Sequence, residues 1–126
     1  MAYNNAVSNE KKLVIVKKWT NRNSGCFTII PTNSINYTIE TITIDELEIS
    51  DVDFIKIDVE GVELDVLKGS VNTINKYKPL LQVELFNNLA FKLHNIETQT
   101  IINYIINDVK VKKRCKMKKI IIITRI

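Results

Sequence analysis

The sequence predicts an α/β fold built on one parallel strand–helix–strand unit, and three observations carry that prediction. Phe54-Ile55-Lys56-Ile57 and Leu80–Phe86 are short apolar runs of strand length. Between them Leu64, Leu67, Val71 and Ile74 recur at helical spacing, so they form one buried helix face. Asp58-Val59-Glu60-Gly61 supplies a turn after the first run, and Pro79 stops the helix before the second. Strand, turn, helix and strand make a βαβ unit, whose strands lie parallel with a right-handed crossover. Ligands of open sheets bind beyond the carboxyl ends of the strands. Asp58 stands at such an end.

The elements follow in order. Met1–Asn9 holds a short apolar patch, Ala6-Val7. Lys12–Trp19 is a β-branched run flanked by lysines and predicts a strand. Asn21–Gly25 is a polar loop, Cys26–Ile30 a second strand stopped by Pro31, and the two strands predict a hairpin. Tyr37–Ile44 alternates apolar residues with Thr and Glu, the pattern of a half-buried strand. Asp45 precedes Glu48 by three positions, as in a capping box, and predicts a one-turn helix leading into a buried strand at Phe54. Glu63 and Asp65 suit the first turn of the next helix, where acids complement the dipole. Gly69 breaks that helix in two, with Ser70 placed to cap the second piece. After Asn87-Asn88, a turn signal, Leu89–Asn95 predicts one helical turn and Thr98–Ile106 a longer helix. Asp108–Lys113 and Lys119–Arg125 read as two closing strands around Arg114–Lys118.

Bulk properties bound the class. A chain of 126 residues with 45% apolar and 25% charged residues is an ordinary globular domain, and residues 1–126 are expected to form one. The net charge of +4 comes mostly from lysine, as on a solvated surface. The lysine-rich tail Lys110–Lys119 reads as the wet face of a hairpin guarding a sheet edge, so neither nucleic acid nor a membrane is expected as partner. Cys26 and Cys115 match neither a metal-binding nor a redox pair and are expected as free buried thiols in a reducing compartment, with a bridge between them left open as the alternative. Met1–Glu10 lacks the basic and apolar regions of a signal peptide, and no run of about 20 apolar residues occurs. The expected location is cytoplasmic.

Acidic side chains dominate the candidate site. Asp58 ends a strand at the carboxyl edge, where it can serve chemistry or accept from free N–H groups of the following turn. Glu60 and Glu63 flank Gly61 and can act as general bases or hold acceptor hydroxyls; both also suit the helix dipole. Gly61 permits a tight turn that brings backbone close to a ligand. Glu84, ending the next strand, faces the same crevice or plain solvent. These four acids could attract a magnesium ion, but no spacing among them specifies metal ligation, and no metal is assigned. Lys56 is read as an acid's partner, Trp19 and Tyr104 as packing residues, and the lone His94 receives no role.

These residues also carry a resemblance. Lys56-Ile57-Asp58-Val59-Glu60-Gly61, Glu63, Val66-Leu67-Lys68-Gly69, Pro79 and Val83-Glu84-Leu85 resemble the signature of FkbM-type methyltransferases. Asn5-Ala6-Val7-Ser8 and Thr43-Ile44-Asp45-Glu46-Leu47 look like two weaker motifs of the same family. The resemblance implies a Rossmann-like class I methyltransferase sheet with antiparallel C-terminal strands. It implies S-adenosylmethionine as cofactor and methyl transfer to a hydroxyl oxygen of a small molecule or sugar. It makes Asp58, Glu60 and Glu63 the catalytic candidates, and Asn5, Ala6, Asp58 and Gly61 the cofactor-binding candidates.

Two departures qualify it. Gly25, Gly61 and Gly69 are the only glycines, and none is spaced as the glycine-rich turn that holds this cofactor in such enzymes. Val62 stands where the family usually carries histidine. The match begins at Asn5 in the middle of the family pattern, so the first βαβ unit is expected to be absent and the chain to represent the C-terminal portion. An apolar sheet edge would then be open beside Phe54–Ile57. Alternatives to an active enzyme are therefore an inactive fragment or binding module, and one half of a split enzyme. The expected partners are a small-molecule or glycan acceptor and either a chain supplying the missing half or a second copy.

Overall fold

The computed structural model describes residues 2–18, 20, 27–33, 38–85, 89–109 and 120–124. Trp19, the Asn21–Gly25 loop, Cys26, Tyr37, Phe86 with the Asn87-Asn88 turn, Cys115 and the Lys110–Lys119 tail lie outside the described residues. The described residues form two sheets and four α-helices. In the first sheet β1 (Ala6–Val7), β2 (Leu13–Lys18), β3 (Phe27–Pro31) and β4 (Ile39–Ile42) run in the order β1-β4-β2-β3. In the second, β5 (Phe54–Ile57), β6 (Leu80–Leu85) and β7 (Ile120–Thr124) lie in sequence order.

The βαβ unit is as the residue pattern predicts. β5 pairs in parallel with β6, Phe54 opposite Leu80 and Ile57 opposite Val83. Between them lie α1 (Glu63–Lys68) and α2 (Val71–Tyr77), separated at Gly69 and Ser70. Lys78 ends α2 in the left-handed region (φ 51°), and Pro79 follows, buried. β6 alternates half-buried with buried residues, and its buried Leu81, Val83 and Leu85 join Ile57, Leu64, Leu67 and Ile74 in the core. α3 (Leu89–His94) adds Ala90, and α4 (Thr98–Asn107) adds Ile101, Ile102 and Ile105 to the same core. The period-2 and period-3.6 patterns thus converge on one interior.

β5 itself differs from the expected buried strand. It is an edge strand with Phe54 50% exposed and Ile57 1% exposed, because only one of its two faces meets the helices. The wider sheet also differs. The Rossmann-like sheet is not formed as one continuous sheet: β5 has no described neighbour on its outer side, and β1–β4 form a separate layer. Antiparallel pairing holds for the β2–β3 hairpin, for β2 with β4, and for the closing β7 against β6. β1, however, runs parallel to β4, Ala6 opposite Thr41. Asp108 and Val109 close α4, their N–H groups donating to the Tyr104 carbonyl at 2.9 and 3.2 Å, so the strand expected to start at Asp108 does not start there.

Caps tie the two layers together, and they differ from the expected ones. The reciprocal capping pair is Thr43 with Glu46, not Asp45 with Glu48. The Thr43 N–H donates to Glu46 Oε2 at 2.9 Å, and the Glu46 N–H donates to Thr43 Oγ1 at 3.1 Å. These bonds hold the Glu46 carboxyl below the usual range. Glu48 cannot complete the box because it already sits in the left-handed region (φ 47°) that ends the 3-10 turn. Asp45 instead caps α2, accepting from the N–H groups of Asn72 (3.1 Å) and Thr73 (2.8 Å). Ser70 gives no cap; its buried hydroxyl donates back to the Val66 carbonyl at 2.7 Å. That i−4 bond is a standard alternative for serine at a helix end.

Gly69 is fixed by crowding rather than by its own flexibility. A Cβ there would fall on the Ser8 carbonyl oxygen and lie 3.1 Å from Ser8 C and 3.2 Å from Asn9 Cα. The Gly69 carbonyl also accepts from the Asp45 N–H at 3.0 Å. No rigid backbone can yield there cheaply, so Gly69→Ala is expected to cost about 2–3 kcal/mol in denaturant unfolding, at the upper end for overpacking. Lys68→Ala, one residue away and exposed, should cost little. Asp45→Ala should cost about 1 kcal/mol through the lost cap, and Ser70→Ala should leave the capping bonds of α2 intact in amide-exchange measurements.

Candidate functional site

The turn after β5 carries or adjoins three of the acids that the sequence singles out, Asp58, Glu60 and Glu63. Its backbone takes two consecutive left-handed residues, Glu60 (φ 54°) and Gly61 (φ 106°). Glycine bears this without strain, but a glutamate there stores roughly 1–2 kcal/mol, and such strain gathers at functional turns. α3 packs over the turn: a Cβ on Gly61 would meet Leu93 Cδ1 at 3.3 Å and His94 Cδ2 at 3.6 Å. Gly61 is thus required for its φ, and a side chain there would also press on Leu93 of α3.

The three candidate acids part company at this turn. Asp58 is exposed, and its Oδ2 accepts from Lys56 Nζ at 2.9 Å, so the predicted pairing of Lys56 is present. Glu60 is half-buried on the turn itself. Glu63, the first residue of α1, is only 3% exposed and bends inward, its Oε1 accepting from the Gly61 N–H at 2.9 Å. Burial pushes the Glu63 carboxyl above its ordinary value of 4.5, against the lowering by the Gly61 and Glu63 N–H groups; the nearby Glu60 and Asp58 charges push it further up. Glu63 therefore braces the turn. Glu84 is half-buried in β6, on the strand adjoining β5.

A cavity of about 300 Å³ opens beside the turn, at the lower end of the small-molecule range. Its walls are Asn5, Ala6 and Val7 of the β1 segment, Val16, Phe27, Thr28 and Ile29 of the hairpin, and Val59 and Val62 of the turn. The structure thus brings Asn5 and Ala6, far away in sequence, against the residues that flank Glu60 and Gly61. Asp58 stands one residue from the wall. The β1 segment is held there by the Ser8 N–H donating to Ile42 O (3.0 Å) and by Asn5 Nδ2 donating to Glu40 O (3.2 Å). Phe27 and Val16 are about half exposed, so the mouth is apolar.

Val16, Phe27, Thr28 and Ile29 were not singled out by residue pattern, because a hairpin's register against a distant turn leaves no local signal. His94 is another. Its Nε2 lies 3.5 Å from Thr28 Oγ1, and burial lowers the ring below its ordinary 6.5. Among the described residues no three His, Cys, Asp or Glu side chains gather as metal ligands, and no helix is long and apolar enough to cross a membrane.

The cavity matches one end of the cofactor that the family resemblance implies. Among the described residues, seven apolar lining residues with two polar ones, Asn5 and Thr28, suit an aromatic base of nucleoside type. None of the described residues lining it is charged, so the polar methionine end would lie toward Asp58 and the mouth. Gly69, packed against Ser8, is no backbone cradle, and the Gly61 N–H is already taken by Glu63. The residues fit the base end of the group.

The sequence model of the methyltransferase FkbM domain matches residues 5–115. No curated protein and no solved structure matches the chain.

The buried Glu63 has a pH signature. Its folded-state carboxyl binds a proton more tightly than in the unfolded chain, so its contribution turns unfavourable as pH rises from about 4.5 through the raised folded value. Glu63→Gln keeps an acceptor for the Gly61 N–H and removes the charge. Relative to the unsubstituted chain, it should gain stability between pH 4 and pH 8 in paired denaturant titrations. A constant difference across that range would contradict the inward placement of a charged Glu63.

Proposed function

Because the chain belongs to the FkbM methyltransferase family, we propose that it transfers a methyl group from S-adenosylmethionine to a hydroxyl oxygen of a small molecule or sugar. The observation that supports this reading is the cavity that joins Asn5 and Ala6 to the Asp58–Gly61 turn. Two separate family motifs meet across one small, mostly apolar space. In this reading β5 and β6 belong to a Rossmann-like methyltransferase sheet, and the turn occupies the carboxyl end where such sheets bind ligands.

The cofactor, when bound, supplies an electrophilic methyl group on a positively charged sulfur. Asn5, Ala6, Val59 and Val62 would hold its base. The chain's own work is positioning, water exclusion and proton transfer. Asp58 accepts the proton of the acceptor hydroxyl, and Lys56, 2.9 Å from its carboxylate, fixes the carboxylate's direction. Glu60 holds the acceptor beside Asp58, its strained backbone aiming the side chain from the turn. Glu63 keeps Gly61 and Glu60 in that conformation through its bond to the Gly61 N–H. The apolar lining would keep water from the base.

The edge that β5 forms among the described residues favours a second reading. With Phe54 half exposed and no described strand on the outer side of β5, a strand from another chain or a second copy can pair there and complete the cofactor site. The isolated chain would then be a binding module or half of a split enzyme.

Release of S-adenosylhomocysteine over a panel of small alcohols and sugars tests the reaction. Acceptor-dependent release is expected, falling about 10²- to 10⁴-fold in Asp58→Asn, with binding of S-adenosylhomocysteine retained. An Asp58→Asn variant as fast as the unsubstituted chain would remove Asp58 as base. A folded, monodisperse chain that neither binds nor releases the product would support the second reading.

A further inference from the structure

We propose that His94 is a positioning residue of the cavity: from the end of α3 it reaches past the Gly61 turn to Thr28 and sets the direction of the Thr28 hydroxyl. This rests on the cavity taking a ligand, as proposed above.

The geometry is specific to these residues. Thr28 is 3% exposed and lines the cavity, where Asn5 is the other polar residue among those described. Its Oγ1 lies 3.5 Å from His94 Nε2, at the outer limit for a hydrogen bond. The same ring packs over Gly61, with Cδ2 3.6 Å from where a Cβ would stand, ordinary van der Waals range. The turn that Gly61 makes therefore lies directly under the imidazole.

The consequence follows from donor and acceptor count. A neutral imidazole with a bare Nε2 takes the Thr28 proton, leaving the hydroxyl oxygen to accept from a ligand. An imidazolium, or the tautomer with Nε2–H, donates to Thr28 and leaves the hydroxyl proton free to be given to a ligand. His94 thereby decides whether the cavity offers a hydrogen-bond acceptor or a donor. The charged groups facing the ring are Asp65 of α1, which favours the charged form, and Lys12 before β2, which disfavours it. These two are paired at 3.7 Å, so their opposed effects are held together, and burial keeps the neutral ring favoured.

Two measurements test this, and the first needs no ligand. The Thr28 methyl resonance and the His94 ring resonances are followed by NMR from pH 5 to pH 8. A shared midpoint is expected, and His94→Gln should abolish the pH dependence of the Thr28 methyl. A Thr28 signal that stays flat through the His94 titration, or that titrates unchanged in His94→Gln, would overturn the proposal. The second is calorimetry with S-adenosylhomocysteine on either side of that midpoint. The affinity of the unsubstituted chain should change about threefold to tenfold, the worth of one hydrogen bond. His94→Gln should bind without that dependence, and Thr28→Val should lose both the dependence and affinity. If the compound does not bind at all, the proposed cofactor fails, while the Thr28 methyl still decides the role of His94.

Discussion

The Ser8 carbonyl lies so close to Gly69 that no side-chain carbon fits between them, and much of the molecule is arranged about that point. It is where the β1–β4 layer meets the corner between α1 and α2. Neighbouring bonds make the contact rigid. The Gly69 carbonyl receives the Asp45 N–H, the Asp45 carboxylate caps α2, and the Ser8 N–H is held by Ile42. Thr41, fully buried, accepts from the Lys12 N–H at 2.8 Å and donates to the Glu10 carbonyl at 2.6 Å, fixing the turn that follows Ser8. Side-chain bonds of this kind are worth about 1 kcal/mol each, but together they leave the β1 segment a single position. That position puts Asn5 and Ala6 on the wall of the cavity beside the Asp58–Gly61 turn.

The turn is held from two further sides. Glu63 secures it from beneath, through a buried carboxylate bonded to the Gly61 N–H, and α3 covers it with Leu93 and His94. A left-handed glutamate at position 60 persists because these neighbours over-determine it. Asp58, one residue from the cavity wall and paired with Lys56, is left accessible. Rigidity is concentrated around a single exposed carboxylate, the arrangement a proton acceptor needs.

The βαβ unit was legible because its signals are local. Strand alternation, helical spacing, Gly69 and Pro79 each act within a few residues of where they stand. The bounds of β5, α1 and α2 follow from them, as does the length of α4. What escaped depends on residues far apart. Nothing near Asp45 says that its carboxylate caps a helix beginning at Val71, and nothing near Ala6 says that it pairs in parallel with Thr41. The capping box shows the limit well: Thr43-x-x-Glu46 and Asp45-x-x-Glu48 satisfy the same pattern, and only the left-handed backbone at Glu48 separates them. At the site, Asp58, Glu60 and Gly61 announced themselves by sequence. The inward turn of Glu63 and the approach of Thr28 and His94 did not, since both follow from packing of distant elements.

The proposed activity depends on the space between the β1 segment and the β5 turn being the cofactor site. The most direct measurement is a backbone NMR titration of the full chain with S-adenosylhomocysteine. Saturable shifts centred on Ala6, Thr28, Val59 and Gly61 are the predicted result. Saturable binding whose shifts fall elsewhere, leaving those four residues unmoved, would contradict it.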